Sequence, residues 1–315
     1  MRELGSYRLV ERLSTGGMGE VWRAEHRLLG RTAAVKLIRP EICSRDDAQT
    51  GTLERRFERE ARVTAALRSP HTVTVYDFGT APDGSFYYAM ELLDGFDLEK
   101  LVTRFGPQSP ERVIHLLLQV CDSLAEAHAH GLIHRDIKPQ NIFVSRLGMN
   151  YDFVKVLDFG LVKTPEPFGG SQIRLTLDGT ATGTPAFMAP EMAMGNTVDA
   201  RSDIYSLGCV AYRLLTGESV FEGDSPVSVL LAHIQEPPIP PSQRTEMDIP
   251  QELERVILAC LEKDPGKRPQ SAQELAGVLS ACPLPEPWNA RRAENWWSVH
   301  MPDLAAPRNE SPTTA

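Results

Sequence analysis

Cysteine is sparse and unorganised in this chain of 315 residues: Cys43, Cys121, Cys209, Cys260 and Cys282 are odd in number, scattered, and include no Cys-x-x-Cys pair. That excludes a disulfide framework and a zinc-ribbon site, and reads as thiols kept in a reducing compartment. No apolar run approaches the roughly 18 residues that a membrane span needs. The start, Met1-Arg2-Glu3-Leu4, is charged and lacks the apolar core of a secretory signal. Positive charge is also in deficit, with 33 Lys and Arg against 42 Asp and Glu and a net charge of −9, which argues against binding to nucleic-acid phosphates as the main activity. Internal repeats are absent. A hydrophobic share of 42% and a charged share of 24% exclude bulk disorder and leave enough apolar material for a sizeable core. The expectation is a cytoplasmic globular protein without a membrane segment.

The hydrophobic period changes along the chain. Up to about residue 93 it is mostly that of strands: Tyr7 to Leu13 alternates, a turn follows at Gly16-Gly17-Met18-Gly19, and Val21–Ala24, Thr32–Ile38 and Phe86–Met90 are further strand candidates. One helix is predicted between them, from Leu53 to Leu67, closed by Pro70. From Ser109 the period is helical. Ser109 can cap, Pro110 suits the first turn, and apolar residues recur by threes and fours up to a stop at Gly131. Ile204 to Leu215 repeats the design and stops at Gly217, and Ser271-Ala272-Gln273-Glu274 forms a capping-box pattern. The prediction is an α+β protein of two lobes, residues 1–93 and 94–282, with a cleft between them. Residues 283–315 read as an appended tail with Pro283, Pro285, Trp288, Trp296 and Trp297, polar and disordered at its end.

Three stretches carry chemistry. In Leu13-Ser14-Thr15-Gly16-Gly17-Met18-Gly19-Glu20-Val21, a glycine-rich hairpin can bring backbone N–H groups up to a polyphosphate, though a plain hairpin has the same appearance. Lys36, in Ala33-Ala34-Val35-Lys36, needs an anionic partner if its strand is buried, and Glu60 on the following helix is available; at a strand edge it would simply reach solvent. The third stretch is His134-Arg135-Asp136-Ile137-Lys138-Pro139-Gln140-Asn141, followed by Leu157-Asp158-Phe159-Gly160. Asn141 and Asp158 offer hard oxygen ligands of the kind that suits Mg²⁺, and Asp136 can accept the proton of an attacking hydroxyl. His128, His130 and His134 lie close in sequence but without a cysteine nearby, and read as core and loop residues.

In order and spacing these motifs resemble the protein kinase superfamily, and specifically the bacterial eukaryotic-like serine/threonine protein kinases, from about Tyr7 to Ala281. The resemblance implies a bilobal protein-kinase-like fold, ATP in the cleft with Mg²⁺ (or Mn²⁺), and transfer of the γ-phosphoryl group to Ser or Thr of protein substrates. It implies that Lys36 holds the nucleotide's α- and β-phosphates and pairs with Glu60. Asp136 becomes the base, Lys138 the γ-phosphate contact, and Asn141 and Asp158 the metal ligands. Leu13, Val21, Ala34 and Phe143 would enclose adenine beneath the loop of Ser14, Gly16, Gly17 and Gly19. Met90 is the gatekeeper, and Glu91-Leu92-Leu93 the hinge. Ser14 departs from the glycine common at its place, which implies a stiffer loop tip.

Further along, Gly183 to Glu191 resembles the substrate-docking loop, with Thr184 near Asp136 and Lys138. Glu191 is expected to pair with Arg268, and Asp203 to anchor the backbone around His134 and Arg135. Arg135 and Lys163 would receive a phosphate on the activation segment. There Thr176, Thr180 and Thr182 are candidates for autophosphorylation between two copies of the chain, a homodimer, with Asp178 as a fixed negative charge. A small-molecule phosphotransferase should lack the docking loop and the Glu191–Arg268 pair. A catalytically silent scaffold should lack Lys36, Asp136 or Asp158.

Overall fold

The computed structural model describes residues 2–16, 19–38, 61–81, 84–159 and 185–305. The first lobe is built on a six-stranded antiparallel sheet in the order β1-β2-β3-β4-β6-β5. Its strands are β1 (Glu3–Leu4), β2 (Tyr7–Gly16), β3 (Gly19–His26), β4 (Thr32–Ile38), β5 (Val75–Thr80) and β6 (Phe86–Met90). Helix α1 covers 61–66 of the described residues. Because side chains alternate across a strand, each face of this sheet has its own apolar cluster. Ala33, Val35 and Leu37 of β4 join Tyr87 and Ala89 of β6 on one face; Ala34 and Ile38 join Phe86, Tyr88 and Met90 on the other. Lys36 has the parity of the second set, so the strand that carries it points its charge toward the cleft.

A second, three-stranded sheet consists of β7 (Gly95–Asp97), β8 (Ile142–Leu147) and β9 (Asn150–Val156). The rest of this lobe is helical: α2 (Leu98–Phe105), α3 (Pro110–Ala129), α4 (Pro190–Ala193), α5 (Ala200–Thr216), α6 (Pro226–Gln235), α7 (Gln251–Cys260), α8 (Ala272–Ser280), α9 (Ala290–His300) and α10 (Pro302–Ala305). Local chemistry sets several helix ends. Ser109 Oγ accepts from the Arg112 N–H with Pro110 in the first turn. Gly217 ends α5 in a left-handed conformation, φ 75°. At α8 only half of the capping box closes, since Ser271 accepts from the Glu274 N–H while the Glu274 carboxylate takes the Gln270 N–H instead. No helix among the described residues is long and apolar enough to cross a membrane.

The lobes are tied through the segment between α1 and β5. The N–H groups of Arg68 and Ser69 donate to the Glu126 carboxylate of α3. Residues His71 to Val73 exchange backbone bonds with Val156, 2.7 Å from Val156 N to His71 O and 3.0 Å from Val73 N to Val156 O.

Beyond residue 282 the chain stays folded against the second lobe as far as the described residues reach. Trp297 is fully buried in the same apolar cluster as α3, α5 and α8. Trp288, Trp296 and Trp297 surround a buried ion pair between Arg112 of α3 and Asp152 of β9. The segment read from the sequence as an appended tail is thus packed on the second lobe through its tryptophans.

Glu191 and Arg268 form a bidentate pair, both contacts 2.8 Å, with the Arg268 side chain fully buried. Ser202 Oγ donates to Glu191 at 2.6 Å. The backbone oxygens of Arg201, Glu262 and Lys263 take further Arg268 donors, so the pair is satisfied on every side. Burial pushes the Glu191 carboxyl up, but the hydrogen bonds from Arg268 and Ser202 and the guanidinium charge more than offset this, and the group lies below the ordinary glutamate range. Replacing Arg268 by Met leaves that carboxylate buried and unpaired, with an expected loss of about 3–5 kcal/mol in urea unfolding. A carboxyl depressed in the folded state stabilises above its unfolded pKa and loses that contribution as pH falls through its folded value. The wild-type advantage over the Met variant is therefore expected to be full at neutral pH and to shrink through the acid range.

Candidate active site

Strand register builds the upper half of the cleft. Ala34 lies opposite Met90, and Lys36 lies directly opposite Tyr88. Val21 of β3 pairs with Lys36 from the other side and packs against the same apolar cluster. Leu13 sits at the exposed lip, 46% accessible. At the hairpin end Gly16 pairs with Gly19. A Cβ on Gly19 would fall 1.7 Å from the Leu37 carbonyl oxygen, so close passage of β4 requires a glycine there whatever the loop binds. Gly17 between them lies outside the described residues, as do Glu60, Thr184, Thr176, Asp178, Thr180, Thr182 and Lys163.

The lower half comes from the loop after α3. Asp203, in the first turn of α5, accepts the backbone N–H groups of His134 and Arg135 at 2.8 Å each, and a 2.8 Å contact from His128 Nε2. The His134 ring reaches the Leu157 carbonyl at 2.7 Å, and burial holds its pKa below the ordinary histidine value. These contacts fix Arg135 at φ 63°, one of three non-glycine residues with positive φ among those described. The histidines near this loop thus serve as hydrogen-bonding residues. Among the described residues no His, Cys, Asp and Glu cluster could hold a metal on its own.

From this loop Asp136 faces Asn141 and Lys138. The Asn141 amide nitrogen donates to Asp136 Oδ2 at 3.0 Å and to its carbonyl at 2.8 Å. Lys138 Nζ lies 2.9 Å from the same Oδ2. With its nitrogen on Asp136, Asn141 has the amide oxygen to offer a cation. The Asn141 carbonyl takes the Leu157 N–H at 2.9 Å, which links this loop to the residue just before Asp158.

Asp158 joins the halves. Its Oδ2 pairs with Lys36 Nζ, and its Oδ1 accepts the Tyr88 hydroxyl. Burial alone would raise the Asp158 carboxyl; the Lys36 charge and the hydrogen bonds from Lys36 and Tyr88 reverse that and keep it below the ordinary aspartate range. Burial and the adjacent Asp158 charge push the Tyr88 phenol well above its ordinary pKa, so it stays a donor. Like Arg135, Asp158 has a left-handed backbone, φ 59°. An ionised carboxylate, an amide oxygen and an ammonium at one cleft are a donor set that fits a divalent cation bound to a polyphosphate.

Two residues here were not anticipated from sequence. Tyr88 reads as one more apolar position in Phe86–Met90, although its parity, two before Met90 on the face of Lys36, carries the signal. Lys155 of β9 places Nζ 2.7 Å from Glu91 Oε1, and Thr74 N–H donates to the same oxygen at 2.8 Å. Glu91 therefore holds the segment of residues 91–93 by its side chain. Its backbone N–H is bonded to the Thr74 carbonyl at 3.0 Å. Phe143 of β8 pairs in register with Asp97 of β7 and Lys155 of β9.

Residues 7–278 match the family described as the protein kinase domain. The serine/threonine-protein kinase PknB of Mycolicibacterium smegmatis is 44% identical over 276 residues, which are 87% of this chain and 42% of that protein. The serine/threonine-protein kinase pkn3 of Myxococcus xanthus is 40% identical over 276 residues, covering 87% of this chain and 49% of that one. The chain therefore spans less than half the length of these relatives. The crystal structure of the PknI kinase domain of Mycobacterium tuberculosis is similar with a TM-score of 0.69 at 26% identity, over 89% of this chain and 97% of that one. With the two-lobed architecture, these matches assign the chain to the protein kinase family, among the bacterial serine/threonine kinases of eukaryotic-like type.

Proposed function

We propose that the chain is an ATP-dependent serine/threonine protein kinase that transfers the γ-phosphoryl group to Ser and Thr hydroxyls of proteins. One observation carries this reading: Lys36, Asp158, Asn141 and Asp136 are joined in one network across the cleft. Lys36 supplies the fixed positive charge for the nucleotide's phosphates. Asn141 and Asp158 would hold Mg²⁺, or Mn²⁺ in its place, which when bound offsets charge on the transferring phosphoryl group. Asp136 orients the substrate hydroxyl and receives its proton as the oxygen bonds to the γ-phosphorus and the bond to ADP breaks. Lys138, beside Asp136, sets a positive charge where the transferred oxygens gather. Ala34, Met90, Val21 and Phe143 supply apolar walls for adenine, with Leu13 at the lip.

Regulation by phosphate follows from the same loop. Arg135 Nε is buried without a hydrogen-bond partner among the described residues, beside the backbone that Asp203 holds. A phosphothreonine at Thr176, Thr180 or Thr182 would bring about −1.5 to −2 charge to that guanidinium, with Asp178 as a constant negative neighbour. Transfer between two copies of the chain in a homodimer would install it.

Incubation with γ-labelled ATP and protein substrate tests the reading. Asp136→Asn is expected to lower incorporation by at least about a hundredfold, and label retained at the wild-type level would overturn it. Peptide mapping of the wild type is expected to find phosphate between Ser171 and Thr184. A second substitution addresses the metal ligand. Tyr88→Phe removes the donor on Asp158 Oδ1 and keeps the ring, so the divalent-cation concentration for half-maximal activity is expected to rise roughly tenfold with little change in melting temperature.

A further inference from the structure

The family match ends at residue 278, yet a buried ion pair of the second lobe is completed by residues beyond it. Arg112 and Asp152 meet in a bidentate contact, 2.8 Å from Nε to Oδ2 and 2.7 Å from Nη2 to Oδ1, with both side chains essentially inaccessible. A buried carboxylate keeps lone pairs that two guanidinium bonds do not fill. Two indoles fill them: Trp288 Nε1 donates to Oδ2 at 2.9 Å and Trp297 Nε1 to Oδ1 at 2.7 Å. The face of Trp296 lies 3.7 Å from the guanidinium carbon of Arg112. Asp152 accepts all this from a left-handed backbone, φ 52°, within β9.

What this cluster grips is the framework of the nucleotide cleft. Strand β9 carries Asp152, then Lys155, which holds Glu91, and ends at Val156, two residues before Asp158. Trp297 also stacks on Phe96, ring centroids 5.3 Å apart at 27°. Phe96 lies in β7, directly after the 91–93 segment, and its neighbour Asp97 lies opposite Phe143. Helix α9 is thus in contact with both strands that set where Glu91, Phe143 and Asp158 stand.

We propose that α9 is a brace of the nucleotide cleft, and that Trp297 is a positioning residue that sets nucleotide affinity through Asp152 of β9 and Phe96 of β7. This rests on the reading of the cleft as an ATP site. Residues coupled through such a packed chain shift binding at a distance by a few-fold to tens of fold.

The test uses the whole chain and Mg·ATP as the probe, with binding measured by calorimetry well below the melting temperature and kinetics on one peptide substrate. Trp297→Phe keeps a ring against Phe96 and removes the N–H to Asp152; Trp297→Ala removes both. The expected result is a loss of affinity of roughly threefold for the Phe variant and tenfold or more for the Ala variant. KM for ATP is expected to rise in parallel, with kcat within about twofold. Leu279→Ala, a buried residue of α8, which packs mainly on α3, α7 and α5, controls for general destabilisation. It should lower the melting temperature and leave nucleotide affinity at the wild-type value.

Unchanged affinity in a folded Trp297→Phe variant would overturn the proposal, as would an equal loss in Leu279→Ala. If the wild type bound no Mg·ATP, the reading of the cleft would fall and the brace with it. Binding by the wild type with no change in the variants would remove the brace alone.

Discussion

The Lys36–Asp158 contact is the constraint around which the cleft is organised. The two residues come from different lobes and are 122 positions apart in sequence. Each would be costly to bury alone, because an ion removed from water without a partner loses several kcal/mol of solvation. Together, with the Tyr88 hydroxyl on the second carboxylate oxygen, they make a charged site where the two lobes meet. The alternation along β4 then follows. Ala33, Val35 and Leu37 turn to the outer cluster, so Ala34, Lys36 and Ile38 face the cleft, and the small side chain of Ala34 leaves room beside Met90.

The same solution to buried charge recurs at three carboxylates away from Asp158. Asp203 takes two backbone N–H groups and an imidazole, Glu191 takes a guanidinium and a hydroxyl, and Asp152 takes a guanidinium and two indoles. In each case the donors come from segments distant in sequence, so each carboxylate fixes how separate elements sit relative to one another. Hydrogen bonds to ionised groups are stronger than neutral ones and fail more expensively when one partner is lost. Specific geometry in the second lobe is therefore imposed by a few saturated anions, while the apolar cluster around α3 and α5 supplies the bulk of the cohesion.

Much of this was legible in the sequence because it is written locally. Ser109 with Pro110 and Gly217 state helix ends through side-chain oxygen and backbone freedom, needing only neighbours in the chain. The order of Lys36, Asp136, Asn141 and Asp158 was legible through resemblance to a family whose motifs keep that order. The contributions of Tyr88, Lys155 and Asp152 were not, since each depends on a partner reached only when the chain folds. Trp297 bonds Asp152 across 145 positions, a distance at which neither periodicity nor spacing carries information. Gly19 was legible for an incomplete reason. It was read for its approach to phosphate, whereas the carbonyl of Leu37 already forbids a side chain there.

The position of β9 relates these parts physically. A short strand is a poor lever when it is free, but this one is held along its length: at Asp152 by α3 and α9, at Lys155 by Glu91 and the Thr72 carbonyl, and at Val156 by the backbone of 71–73. Packed interiors deform little, because separating close-packed groups forfeits contacts on both sides. A displacement at one end of β9 therefore has no soft place to dissipate before Asp158, two residues past the strand's end. The polar residues of the strand, Asp152 and Lys155, make its contacts directional as well as close. Apolar packing alone would permit the strand to slide; a carboxylate with four donors and an ammonium shared between two acceptors do not.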